Sequence, residues 1–146
     1  MILCTELFTD VSSVSFANGQ TEILGRVLGA GDLIGQRADR AYPEKLLLLY
    51  HEFEEGDVGD FRDELDFLRD SIRFSDFVVR HLEKTLAESH ALMVAHFEAR
   101  WNLSEDLYQA ATQKNMEYVT QILSSPGIDP CECLRRGLGD RTMSKE

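Results

Sequence analysis

The stretch that most constrains the fold runs from Gly25 to Phe53, GRVLGAGDLIGQRADRAYPEKLLLLYHEF. Leu24, Leu28, Gly31 and Gly35 recur every three or four residues, the spacing of one face of an α-helix. A helix read in this way needs a core to cover its apolar stripe, so the stripe predicts a packed helical protein. The same register puts Asp32 four residues after Leu28, on or beside that stripe, with Gln36 and Asp39 following on one side of the helix. A carboxylate turned toward a core is costly unless it is paired, hydrogen-bonded or bound to a metal. Asp32 is therefore the first candidate for chemistry, as a ligand of a divalent ion that favours carboxylate oxygens. The alternative is an Asp hydrogen-bonded to Gln36, to Arg37 or to a helix end.

With 146 residues, the chain is long enough for one domain with a single core. A net charge of −11 excludes a nucleic-acid surface, which needs clustered Lys and Arg, and disfavours an anionic membrane. No apolar run approaches the roughly 18 residues of a membrane span. The start MILCTELF lacks a basic signal-peptide region, and three cysteines do not suit a disulfide framework. These features together predict a cytoplasmic protein.

Along the chain, residues 1–17 read as irregular, with Val11, Val14 and Phe16 as a short strand or a laid-down loop. Asn18 is a candidate N-cap, with Ser15 competing, for a helix over about 20–38. Its four glycines suggest the close approach of a neighbouring backbone, or else a glycine-tolerant packed helix. Pro43 breaks the chain near 39–42 and starts a second helix over 43–55, whose Leu46 to Leu49, Tyr50 and Phe53 predict a central position. Asp60 caps a third helix with Phe61, Leu65, Leu68 and Ile72 on one face. A fourth covers 74–86, and the spacing leaves open whether these two are continuous. A fifth spans 90–101 behind Ser89, with Leu92, Met93, His96, Phe97 and Trp101 inward. A sixth spans 105–124 behind Ser104, with Tyr108, Ala111, Asn115, Tyr118, Val119 and Ile122 on one face. The expected organisation is one all-α domain over 1–124, an irregular bundle of five or six helices, and a tail over 125–146 with one short turn near 131–136.

Other reactive residue types make poor constellations. His51 opens an HExEE run without the second histidine of an HExxH zinc helix, and His90 and His96 are six apart, on different faces. His81 stands alone. Cys131-x-Cys133 lacks the second pair of a structural zinc site. Asn115 among apolar neighbours suits a packing role. No nucleophile elbow, phosphate loop or dinucleotide fingerprint occurs.

The segment ILGRVLGAGDLIGQRADRAYPEKLLLLYHEF resembles the downstream part of bacterial HD-type metal-dependent phosphohydrolase-like proteins. FLRDSIRFSDFVVRHLE and AHFEARWNLSEDLYQAATQKNMEYVTQIL are similar to the same group, so the resemblance covers about residues 3–123. It implies an all-α domain that binds divalent metal (Mn, Mg, Fe or Ni) through an early His, a His-Asp pair and a later Asp. Asp32, in GDLIG, matches that later Asp, with Gln36 and Asp39 beside it. No His-Asp dipeptide occurs, and no histidine precedes Asp32. Pro43 and Arg37 also depart from the usual pattern, and Arg37 could pair with a surplus acid. The expectation is a phosphohydrolase-like chain that is catalytically incomplete as it stands, with Asp32 a metal ligand only if the others come from elsewhere. The alternative is a non-enzymatic helical interaction or regulatory module that self-associates as a homo-oligomer or binds a helical protein partner.

Overall fold

The computed structural model describes residues 2–5, 13–86, 89–127 and 129–134. The fold is all-α, with no strand among the described residues. A 3₁₀ turn, Ile2–Thr5, precedes α1 (Gly19–Ala38), α2 (Tyr42–Glu55), α3 (Glu64–Leu86), α4 (Ser89–Trp101), α5 (Leu107–Ser124) and the short α6 (Pro130–Cys133). The described residues form two compact units. One holds Met1–Asp39 with Asp76–Gln113, the other Arg40–Ser75 with Lys114–Glu146.

Helix starts follow side-chain chemistry. Asn18 caps α1, its Oδ1 accepting from the Thr21 N–H at 2.9 Å and the Thr21 hydroxyl at 2.9 Å. The third helix is capped by Asp63 rather than Asp60: the Asp66 N–H donates to Asp63 Oδ1 at 2.7 Å. Continuous turns carry it to Leu86, so the expected third and fourth helices are one. Asp106, not Ser104, caps α5 by accepting from the N–H groups of Tyr108 and Gln109 at 2.9 and 3.1 Å. In both corrections an aspartate nearer the helix offers a shorter loop to the free N–H groups. Pro43 lies in the first turn of α2, where its missing N–H is no loss.

In the second unit a core forms from Leu46, Tyr50, Phe67, Leu68, Val119, Ile122 and Leu134. Phe61 and Phe67 meet edge to face at 5.0 Å, and Phe53 meets Phe67 at 5.7 Å. Leu134 is almost fully buried there, and the Tyr118 hydroxyl donates to the Cys133 carbonyl at 2.9 Å. The short α6 overlaps the turn expected near 131–136, and Leu134, the residue after it, completes this core. Of the rest of the expected tail, residues 128 and 135–146 lie outside the described residues. α2 does not bury its whole circumference: Leu46 and Tyr50 face inward, whereas Leu48 and Leu49 are exposed.

In the first unit, Phe97 is buried and Val78 fully so. Phe97 lies 5.6 Å from Trp101 and 5.0 Å from Tyr108, ring to ring. Trp101 and His96, expected inward, are exposed, and Arg100 covers the Trp101 ring from 5.2 Å. Met93 is half-buried, and the Leu92 side chain lies outside the described set. Of residues 11–16, 11 and 12 lie outside it too, and 13–16 carry no strand.

Candidate functional site

α1 turns out to be inverted relative to the expected stripe. Its buried positions are Gly25, Gly29, Ala30 and Arg37. The 3₁₀ turn Ile2–Thr5 lies along this side. A Cβ on Gly29 would overlap the Cys4 carbonyl oxygen and come within 3.0 Å of its carbon. A Cβ on Gly25 would reach Phe16 Cε1 at 2.8 Å and Cys4 Sγ at 2.9 Å. These two glycines are the ones that admit a neighbouring backbone, and the buried Cys4 fills the notch between them. The periodicity of 24, 28, 31 and 35 identified a real face but not its direction. Glycine contributes no hydrophobic signal, yet here it marks the packed side.

The opposite face carries the larger apolar side chains. Ile23 and Leu24 are each 60% exposed, Leu28 47% and Val27 43%. Gly31 and Gly35 lie on the same face, and among the described residues none comes within 4 Å of where a Cβ would stand. The four charged residues of α1 keep away from its centre. Glu22 pairs with Arg26 at 2.7 Å, Arg37 is buried and Asp32 stands at the edge. Covering the exposed half of four aliphatic side chains is worth roughly 4 kcal/mol.

Asp32 is therefore solvent-exposed, not turned toward a core. Its Oδ1 accepts from Gln36 Nε2 at 3.2 Å, the local hydrogen bond open to an (i, i+4) pair on a helix. Asp39 does not continue this row. It follows the last turn, with φ −58° and ψ 130°, and its N–H donates to the Gln36 carbonyl at 3.3 Å. Pro43, four residues on, has no N–H to donate to the Asp39 carbonyl, so a helix carried straight through this point would lose that bond. The structure thus joins the Asp32 and Gln36 side chains, while Asp39 lies past the last turn and meets Gln36 through its backbone N–H.

The other candidates are dispersed. His51 is exposed, 3.7 Å from Glu54. His81 stacks on Phe77 at 6.1 Å, and His96 meets Trp101 edge-on at 5.5 Å. Cys133 is a free, half-buried thiol; the side chains of Cys131 and His90 lie outside the described set. Asn115 is buried, consistent with its packing role. Among the described residues, no three His, Cys, Asp or Glu side chains gather as a metal would require. No described helix is long and apolar enough to cross a membrane.

Compared with family models, curated proteins and solved structures, the chain matches none.

Two charged groups are buried on either side of the break before Pro43. Glu44 is fully buried in the first turn of α2, and Arg37 is nearly so in the last turn of α1. Both engage other groups. Each stands near the helix end its charge favours, the carboxylate near an N-terminus and the guanidinium near a C-terminus. The signal available in sequence was their position flanking the Pro43 break.

Proposed function

We propose that this chain is a non-catalytic helical interaction module that binds protein through the outer face of α1. The observation that carries this reading is the exposed group Ile23, Leu24, Val27 and Leu28 on a helix whose other side is already packed. Scattered exposed apolar residues are ordinary, but a contiguous row of them on one helix face suits a binding surface. A strip without formal charge also fits partners that bury it without stranding an ion.

A photo-reactive residue at Val27, introduced into the full chain inside cells that express it, tests the proposal. The expected result is a discrete cross-linked product that disappears with Leu28→Glu. Absence of any discrete product refutes the reading.

The phosphohydrolase-like reading rests on the resemblance of the sequence segments alone. Under it, Asp32 would be one ligand of a divalent ion whose remaining ligands come from elsewhere. Calorimetric titration with Mn²⁺ or Ni²⁺ decides it: Asp32→Asn should abolish binding, and binding indifferent to that change removes Asp32 from the site.

A further inference from the structure

We infer that Asn18 is a site of self-modification, where the Gly19 nitrogen converts the side-chain amide to aspartate and isoaspartate at a rate set by opening of the α1 cap.

The sequence supplies the reacting groups. Asn18-Gly19 is the one Asn-Gly dipeptide in the chain. The backbone nitrogen after an asparagine closes a five-membered ring on Cγ when the two are aligned, and within one chain alignment is the main requirement. A side chain on the second residue crowds that approach. Glycine has none, and its backbone turns freely. Asn18 and Gly19 are both exposed, so water reaches the ring once it forms.

The reaction consumes only water. The Gly19 nitrogen gives up its proton and bonds to Asn18 Cγ. The bond from Cγ to the amide nitrogen breaks, that nitrogen takes a proton, and ammonia leaves a succinimide behind. Water then opens the ring. Attack at Cγ gives aspartate. Attack at the backbone carbonyl carbon gives isoaspartate, whose main chain runs through Cβ and Cγ.

The folded cap holds the nitrogen and Cγ out of line. Asn18 has φ −165° and ψ 171°. At that ψ the Gly19 nitrogen is staggered against Asn18 Cβ about the Cα–C bond, whereas the ring needs them nearly eclipsed. Turning ψ toward closure swings the first turn of α1 away from its cap. Three hydrogen bonds resist this. Asn18 Oδ1 accepts from the Thr21 N–H and the Thr21 hydroxyl, both at 2.9 Å, and the Asn18 carbonyl accepts from the Glu22 N–H at 3.1 Å. The donors on Oδ1 draw electrons from Cγ, and a helix start favours negative charge on a nearby nitrogen. Both effects assist attack only by a nitrogen that reaches Cγ, so alignment decides and the cap must open first. Helix ends are where such opening costs least.

The two products differ in consequence. Aspartate caps a helix as well as asparagine does. Isoaspartate lengthens the main chain by one carbon, moves the cap out of register with Thr21 and frays the turn before Ile23 and Leu24.

Incubation of the purified full chain in mildly alkaline buffer, folded and in urea, tests the inference. Trypsin releases residues 1–26 as one peptide, because Arg26 is the first basic residue. Fragmentation then assigns the exchange of NH₂ for OH to residue 18 rather than Gln20, and isoaspartate-specific methylation counts the second isomer. Conversion should occur in both states, at least about fivefold slower in the folded chain, the population factor of one N-cap. Thr21→Val removes the hydroxyl donor and should speed the folded reaction about two- to fivefold without changing the rate in urea. Thr21→Ser keeps both donors and should match the wild type. Gly19→Ala adds a Cβ that meets nothing within 4 Å among the described residues, so the fold tolerates it, and it should suppress conversion in both states. A folded chain that never converts, or that converts as fast as the unfolded one, overturns the inference. So does a Thr21→Val chain that reacts no faster than wild type, and a Gly19→Ala chain that reacts as fast removes the Gly19 nitrogen as the attacking group.

Discussion

Adding one methyl group to α1 should have opposite consequences on its two sides. Gly31→Ala places a Cβ in open space, so only the backbone term remains: about 1 kcal/mol of added stability from helix propensity. Gly29→Ala gains the same term but drives its Cβ into the Cys4 carbonyl, a backbone atom that cannot rotate away. Overpacking of this kind costs roughly 1–3 kcal/mol, and partial release of the buried Cys4 adds about 1 kcal/mol. The net for Gly29→Ala is a loss of about 1–3 kcal/mol, so the two variants should differ by roughly 2–4 kcal/mol. For a chain of 146 residues that separates their melting temperatures by roughly 10 °C, Gly31→Ala above the wild type and Gly29→Ala below. Thermal unfolding followed by far-ultraviolet circular dichroism at low micromolar concentration measures the difference. If Gly29→Ala melts at or above the wild type, the glycine side of α1 does not carry the 3₁₀ turn and the assignment of its two faces fails.

Two further outcomes follow from particular contacts. Leu68→Ala removes a fully buried side chain from the second unit and should cost about 2–5 kcal/mol in denaturant unfolding; a loss under 1 kcal/mol would place Leu68 outside the core. Arg62 donates to Asp66 from its Nε at 3.2 Å and its terminal nitrogen at 3.0 Å, and these hydrogen bonds hold the Asp66 carboxyl below the usual carboxylate range. Its contribution to stability is therefore complete above the ordinary carboxylate pKa of about 3.9 and disappears as pH falls through the lower folded-state value. Carboxyl-resolved NMR titration should show Asp66 returning to the ordinary range in Arg62→Gln, and an unmoved midpoint would deny the pair its effect.

Helix identity was available from the residues alone, because it depends on local chemistry. Asn18 caps α1 through a side chain three residues from its partner, and Pro43 separates α1 from α2 whatever lies nearby. Even the local errors were short-range: Asp63 and Asp106 each displaced a nearby candidate cap. Periodicity likewise found the row Leu24, Leu28, Gly31 and Gly35, but spacing is the same for a face that packs inward and one that looks out. Which way α1 turned depended on the 3₁₀ turn settling into the notch at Gly25 and Gly29, a contact between segments some twenty residues apart that no helical window contains. Once that notch was filled, the row carrying Leu24 and Leu28 faced outward and Asp32 came to its edge, bonded to Gln36. Leu134 entered the second core for the same kind of reason: its burial is conferred by Leu46, Phe67 and Val119, residues distant in the chain. Local order is written in neighbouring residues, whereas the side of a helix that water sees is decided by whichever distant segment reaches it.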